Sequence, residues 1–439
     1  ALADSGADNW EQKPYLPIYE QANWFADGER FNLPDDFYSS RFLVDKIIEF
    51  IDSNPSSEAP FFAYLPFQAV HIPVQAPQSF IDRYKGVYDD GWEVLRTKRY
   101  EAAQALGLVP ENSAMEPMAS TESWQNLEPE TKRYQAKRME VYAAMVEAMD
   151  FHIGRLIQHL KNTGHYENTI FIFASDNGSE GSGAGVESAP ANNLMLSLMD
   201  YNDDYETLGL KGSYGTIGPN FASAAASPLG YYKFYVGEGG LRVPLIIAGE
   251  PLNLSDPNSI IDAFSYATDI VPTILQLTGV PQPNGRYNSR EVEPIVGRSM
   301  VPLLQGQAER IYGDDDAIGY ELNGHRALFL GDHKIVYNRP PIGDGVWHLY
   351  NIATDPGETQ DLRELQPQRF ARMQALYEQF VVEHGVLPVA EDFDPQRVMF
   401  ARLVRDRFGG YLIALVCFVV ALVAFGFYRR RRLRTHQVN

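Results

Sequence analysis

Stretches in which apolar residues recur every three or four positions alternate along this chain with short apolar runs, a pattern that predicts helices interleaved with strands. Residues 36–52 place Leu43, Val44, Ile47, Ile48 and Ile51 on one helical face. Residues 134–161 do the same over a longer span through Tyr142, Met145, Val146, Met149, Ile153, Leu156, Ile157 and Leu160, and Asn162-Thr-Gly164 supplies a stop. Between these helices, residues 60–66 (Pro-Phe-Phe-Ala-Tyr-Leu-Pro) predict a short buried strand that opens into a proline-rich loop over 67–77. Residues 86–130 mix polar positions with Pro and Gly and predict no definite element.

Residues 169–178 (Thr-Ile-Phe-Ile-Phe-Ala-Ser-Asp-Asn-Gly) predict a central parallel strand, apolar enough to be covered on both faces. It would deliver Asp176 and Asn177 to the carboxyl edge of an α/β sheet, where ligands bind in such folds. Taken alone, Asp-Asn-Gly also suits a turn, but the Gly/Ser-rich residues 179–185 are not the second strand of a hairpin. Residues 231–236 and 243–248 predict two further strands around Gly237-Glu-Gly-Gly240, and residues 269–277 a helix capped by Thr268. From about residue 317 the texture changes: a hairpin over 327–337, a strand over 347–350 and a helix over 367–383 make a small antiparallel sheet with one helix. The predicted organisation is a large α/β domain over 1–316, a small α+β subdomain over 317–388, a juxtamembrane segment over 389–407, an apolar helix over 408–428 and a basic tail over 429–439.

Residues 408–428 are 21 consecutive uncharged positions. As a helix they reach roughly 30 Å, the hydrocarbon thickness of a bilayer. The arginines at 429–432 and 434 follow at once and oppose burial in a protein core, so a single-pass membrane anchor is expected. They favour a cytoplasmic tail and a periplasmic or extracytoplasmic larger domain, although Arg397, Arg402, Arg405 and Arg407 make the asymmetry modest.

Charge narrows the range of partners. The 37 Lys and Arg stand against 57 Asp and Glu, a net of −20, and the rest of the chain is more acidic still once the tail arginines are set aside. Such a surface repels nucleic acid and long polyanions but not a small anion entering a locally positive cleft. The single cysteine, Cys417, lies in the apolar helix, which excludes disulfides, thiolate metal sites and thiol nucleophiles elsewhere. The histidines show no HExxH-type spacing, and His152, His159 and His165 are expected to be solvated.

Several motifs occur in one order: Phe61-Phe-Ala-Tyr-Leu-Pro-Phe with Val70-His-Ile-Pro-Val-Gln-Ala-Pro; Ser175-Asp-Asn-Gly; Tyr232-Lys-Phe-Tyr-Val-Gly-Glu-Gly-Gly-Leu-Arg-Val-Pro; and Trp347-His-Leu-Tyr-Asn with Asp355-Pro-Gly-Glu. Together, over about residues 39–385, they resemble the sulfatase family, in particular the bacterial arylsulfatases of the alkaline phosphatase superfamily. The resemblance implies a mixed sheet flanked by helices, and hydrolysis of a small sulfate ester. It also implies one divalent cation, usually Ca2+, with Asp176 and Asn177 among its ligands.

The same resemblance makes His71 the group that protonates the leaving oxygen and Lys233 the ammonium that binds sulfate. From the residues alone, a lone histidine such as His71 is more often an ordinary polar loop residue, and Lys233 is equally a snorkelling lysine on a half-buried strand. Glu238, Gly239, Gly240 and Arg242 are expected to hold the backbone of their turn. The family's paired aspartates and its Cys/Ser-x-Pro-x-Arg motif, whose first residue becomes the formylglycine nucleophile, do not occur in these 439 residues. The expectation is therefore a C-terminal fragment, inactive alone, with formylglycine supplied upstream. Two alternatives remain: a phosphate or phosphonate ester hydrolase of the same superfamily, and a membrane-anchored binding module without activity. The substrate ester and the oligomeric state are not legible.

Overall fold

The computed structural model describes the chain except residues 1, 4–7, 17–18, 20, 54–58, 116–121, 183–195, 198, 391–392, 395–396, 399–400, 403 and 436–439. Part of the Gly/Ser-rich stretch, 183–185, therefore lies outside the described residues. One compact unit comprises residues 9–11 and 34–388. Its first half is built on α1 (Ser39–Asp52), α2 (Trp92–Ala105) and the long α3 (Pro129–Asn162). Helix α3 starts with Pro129 in its first turn, where the missing N–H costs nothing, and stops before Gly164 at φ +75°. Its fully covered positions, among them Ala136, Met139, Val141, Ala144, Met145, Ala148 and Leu160, coincide only in part with the face the apolar periodicity marks: Met145 and Leu160 are buried, Tyr142, Met149, Ile153, Leu156 and Ile157 are half-buried, and Val146 is exposed. At Gly209 an added Cβ would stand 2.6 Å from Val141 Cγ2.

The burial along α3 corrects one expectation. His152 is buried against Tyr38 and Phe151 and receives a hydrogen bond at Nδ1 from Arg155 (3.0 Å); burial first and the Arg155 charge second push its pKa down to about 4. His159 is engaged by Asp52 at 2.9 Å, and His165 is exposed as expected.

Strand β1 (Phe171–Ala174) pairs with β2 (Leu245–Ala248), Phe171 opposite Ala248 and Ala174 opposite Leu245. The ladder is antiparallel and two-stranded, so the central parallel strand is not borne out. Phe171, Ile172 and Phe173 are half-buried, Ala174 is exposed, and Ile246 on β2 is 58% exposed. Residues 60–66 form no strand: they run as extended coil with Phe62 76% and Tyr64 74% exposed. Apolar composition makes a buried strand only where a neighbouring strand takes up its backbone groups, and among the described residues none pairs with this segment.

The second half contains α4 (Gly218–Ala225), α5 (Ile270–Thr278) and a four-stranded antiparallel sheet. The cap of α5 is Asp269, not Thr268; its carboxylate accepts the Tyr266 and Arg298 N–H groups and the Tyr312 hydroxyl. The sheet runs β3 (Ala317–Leu322), β4 (His325–Leu330), β5 (His333–Tyr337) and β6 (Trp347–Asn351) in simple neighbour order. Helix α6 (Pro367–Glu383) covers it, burying Met373 and Tyr377 against Leu328, Leu330, Ile335 and Leu349. These elements match the antiparallel sheet and helix that the sequence predicts.

A second unit gathers residues 2–8, 12–33 and 389–439. It holds a small antiparallel sheet (Leu2–Ala3, Trp24–Ala26, Glu29–Arg30) and the apolar helix α7 (Gly409–Thr435). The window Gly409–Gly426 has mean hydropathy 2.4 and is exposed, so by length and composition this helix is long and apolar enough to cross a membrane.

Candidate active site

The tip of β1 is shaped by glycines. Gly178 donates its N–H to Gly240 O (3.0 Å), and a Cβ at Gly178 would stand 1.9 Å from Gly239 O, so only glycine permits this approach. The one-turn helix Glu238–Leu241 in turn lies on the segment before it: Gly239 N–H bonds to Gly230 O, and a Cβ at Gly240 would meet Tyr235 O at 2.3 Å. Residues 231–236 are consequently a compact turn and not the expected strand, with Tyr231 at φ +67° and Phe234 at φ +81°. Their aromatic alternation is spent on packing, with Tyr232 buried among Trp92, Trp124, Met139 and Phe221.

This turn is joined to the strand tip by the N–H of Lys233, which bonds to Ser179 O (3.0 Å), while Ser179 Oγ donates to Ala222 O (2.6 Å) on α4. The Lys233 ammonium then meets Glu180 Oε2 at 2.7 Å. From a third segment, the loop after residues 60–66, His71 places Nε2 3.7 Å from the same oxygen. The His71 N–H bonds to Gln68 O (2.8 Å) and Nδ1 lies 2.9 Å from Ile72 O. Two of the residues singled out from sequence, separated by 162 positions, thus converge on one carboxylate.

Glu180 was not foreseen. It is 7% exposed, and its other oxygen accepts the Ser182 N–H at 3.0 Å. The available signal was its place three residues beyond Asn177, a lone carboxylate among Gly and Ser. Asp176 is exposed and Asn177 half-buried, and the Asn177 carboxamide donates to Asp176 Oδ1 at 3.0 Å. The pair lies on the same loop as Glu180. A carboxylate beside a carboxamide is a hard oxygen donor set that suits Ca2+, but it fills only part of the six to eight positions such an ion takes. Among the described residues no group of three or more His, Cys, Asp or Glu completes it.

Behind the site lies a buried ionic cluster. Lys334 on β5 is fully buried and bonds to Glu238 Oε1 and Glu358 Oε1, each at 2.8 Å, while Glu358 Oε2 accepts the Glu238 N–H (2.9 Å). Burial works to lower the Lys334 pKa, and the two carboxylates outweigh it, so the ammonium is held charged above its ordinary range. For Glu358, burial outweighs Lys334 and the carboxyl is pushed up. Glu238 therefore anchors the glycine turn to the C-terminal sheet, as its expected backbone role requires.

The profile of the Sulfatase family matches residues 3–280. The chain belongs to the sulfatase family. It is 37% identical over 389 residues to an uncharacterized sulfatase of Schizosaccharomyces pombe, covering 88% of this chain and 68% of that protein. It is 35% identical over 280 residues to an arylsulfatase of Klebsiella aerogenes, covering 63% of this chain and 58% of that one. Among solved structures, i-CgsB superposes with a TM-score of 0.51 at 20% identity, over 87% of this chain and 63% of that chain. The fold of this sulfatase-family chain is accordingly the alkaline-phosphatase-like one, with helices and sheets. The chain spans 58–68% of the length of the two curated relatives.

Proposed function

We propose that this chain carries the sulfate-binding and leaving-group side of a sulfuric ester hydrolase acting on a small sulfate monoester. The observation that carries the reading is the convergence of His71 and Lys233 on one point from two unconnected loops. Lys233 neutralises charge on the sulfuryl oxygens as the S–O bond breaks. His71 delivers a proton to the departing alkoxide or phenoxide, a duty that suits an imidazole side chain. Asp176 and Asn177 belong to the ligand set of a calcium ion, which when bound polarises the sulfuryl oxygens. The nucleophile, formylglycine, belongs to a motif outside these 439 residues, so turnover requires that motif as well as this chain.

The membrane part of the reading rests on α7 and its arginines: a single-pass anchor with the larger unit periplasmic or extracytoplasmic and the tail cytoplasmic. Alkaline carbonate should leave the protein in the membrane pellet, and release into the supernatant would refute the anchor.

The activity is tested in a protein that carries the nucleophile motif together with these residues, assayed on an aryl sulfate, an aryl phosphate and an aryl phosphonate. The sulfate ester should be turned over fastest, and Lys233→Ala should reduce kcat/KM on it by about 100-fold, the order seen when one charge-stabilising donor is removed. An unmoved kcat/KM, or a preference for the phosphonate, would refute the assignment.

A further inference from the structure

Glu180 is a nearly buried carboxylate in the middle of a site built to receive an anion, and the mechanism above gives it no task. Its position is not a matter of a loose rotamer. Just before it Ser179 O accepts the Lys233 N–H, Ser182 N–H holds Oε1, and an added Cβ at the next residue, Gly181, would stand 2.4 Å from the Tyr232 ring, so the loop is held on both sides of Glu180. Among the described residues, the groups that face Oε2 are the Lys233 ammonium and the His71 imidazole. A further neighbour, Tyr142, stays a neutral phenol: burial pushes it up to about 12, Arg99 opposing and the Glu180 charge reinforcing.

An ammonium has three donors and no acceptor, so Lys233 can give one N–H to Glu180 and still present others to a bound oxyanion. The carboxylate thereby fixes the direction of the other donors. Its own negative charge, a few ångströms from any anion that Lys233 holds, opposes that anion's binding in a place screened from water.

We propose that Glu180 is a positioning residue that holds Lys233 and His71 together and, by its charge, weakens the hold of the site on the free sulfate dianion, so that product leaves. This rests on the hydrolase reading, since it presumes that the anion between these groups is sulfate. A residue of this kind tightens ground-state binding when neutralised, whereas a purely structural residue weakens binding when altered.

The test is titration of inorganic sulfate into the full chain by calorimetry, for the wild type, Glu180→Gln, Glu180→Asp and Lys233→Ala. Glu180→Gln keeps the shape and an acceptor but removes the charge, and should bind sulfate about tenfold more tightly, the factor that corresponds to one relieved short-range repulsion. Glu180→Asp keeps the charge and should bind within about twofold of the wild type, and Lys233→Ala should bind at least tenfold more weakly. As a second readout, 13C-labelled histidine shows the His71 imidazole directly; Glu180→Gln, which removes the facing charge, should move its resonances, and Glu180→Asp should leave them near those of the wild type.

If Lys233→Ala weakens sulfate binding while Glu180→Gln leaves it unchanged or weakens it, the role given to Glu180 is wrong and the hydrolase reading stands. Equal tightening by Glu180→Asp and Glu180→Gln would also overturn it, because charge would not be the cause. Sulfate affinity indifferent to both Lys233 and Glu180 would overturn the placement of the anion and this inference with it.

Discussion

Replacing Lys334 by Met keeps the volume of the side chain but leaves Glu238 and Glu358 facing each other, buried, without a counter-charge. Both hydrogen bonds lost are 2.8 Å long and charge-assisted, and all three groups are shielded from solvent. Breaking a buried pair from one side costs about 3–5 kcal/mol, because the remaining charge has no solvent to turn to. Against a total stability of about 5–15 kcal/mol this is a large fraction. The loss depends on pH. Glu358 already has a folded-state pKa above its unfolded value, so the folded protein keeps a proton that the unfolded chain has released. That contribution is fully present below the unfolded pKa and disappears as pH rises through the folded one. Removing the ammonium raises the folded value further, so the penalty of Lys334→Met should be near its maximum at pH 8 and much smaller at pH 5. Urea unfolding followed by tryptophan fluorescence at the two pH values measures both effects. The triple variant Lys334→Met with Glu238→Gln and Glu358→Gln should recover most of the stability, since apolar and neutral replacements remove the stranded charge. A loss below about 1 kcal/mol at pH 8, or one equal at both pH values, would refute the reasoning.

Gly178→Ala places a methyl group 1.9 Å from Gly239 O, so the strand tip and the glycine turn must separate; a destabilisation of about 1–3 kcal/mol and weaker sulfate binding are expected from thermal melts and calorimetry. His152 has a folded pKa of about 4, below the ordinary 6.5, so its contribution is present above 6.5 and is lost as pH falls towards 4. The full gap corresponds to about 3 kcal/mol, of which about 1–2 kcal/mol survives partial solvent screening, and His152→Gln should lose that much less stability than the wild type between pH 7 and pH 4. Asp176→Ala should abolish calcium retention in elemental analysis, and an unchanged calcium content would remove Asp176 from the ligand set.

Much of the secondary structure was legible because its causes are local. Helix α6 coincides with the predicted 367–383, and the hairpin turning at Gly331 is flanked by strands whose apolar alternation is plain in the chain. Residues 60–66 and 231–236 were misread for one reason. Both have the composition of strands, but one has no strand beside it among the described residues and the other is folded into a turn by glycines that precede and follow it. His152 was misread because the helical period gives a face but not which face a neighbour covers.

By itself the sequence determined the family, through ordered motifs. It also determined the helix periods, the C-terminal sheet and an apolar helix long enough for a bilayer, since each follows from residues near one another in the chain. It named His71, Lys233, Asp176 and Asn177 as candidates. Tertiary structure alone decided that β1 pairs antiparallel with β2 and that His71 and Lys233 meet on Glu180. It also decided that Lys334 ties the glycine turn to the distant sheet. Those outcomes depend on contacts between residues 53 (Lys233 and Glu180) to 109 (His71 and Glu180) positions apart, and a local pattern of polar and apolar positions carries no record of which distant segment will come to lie against it.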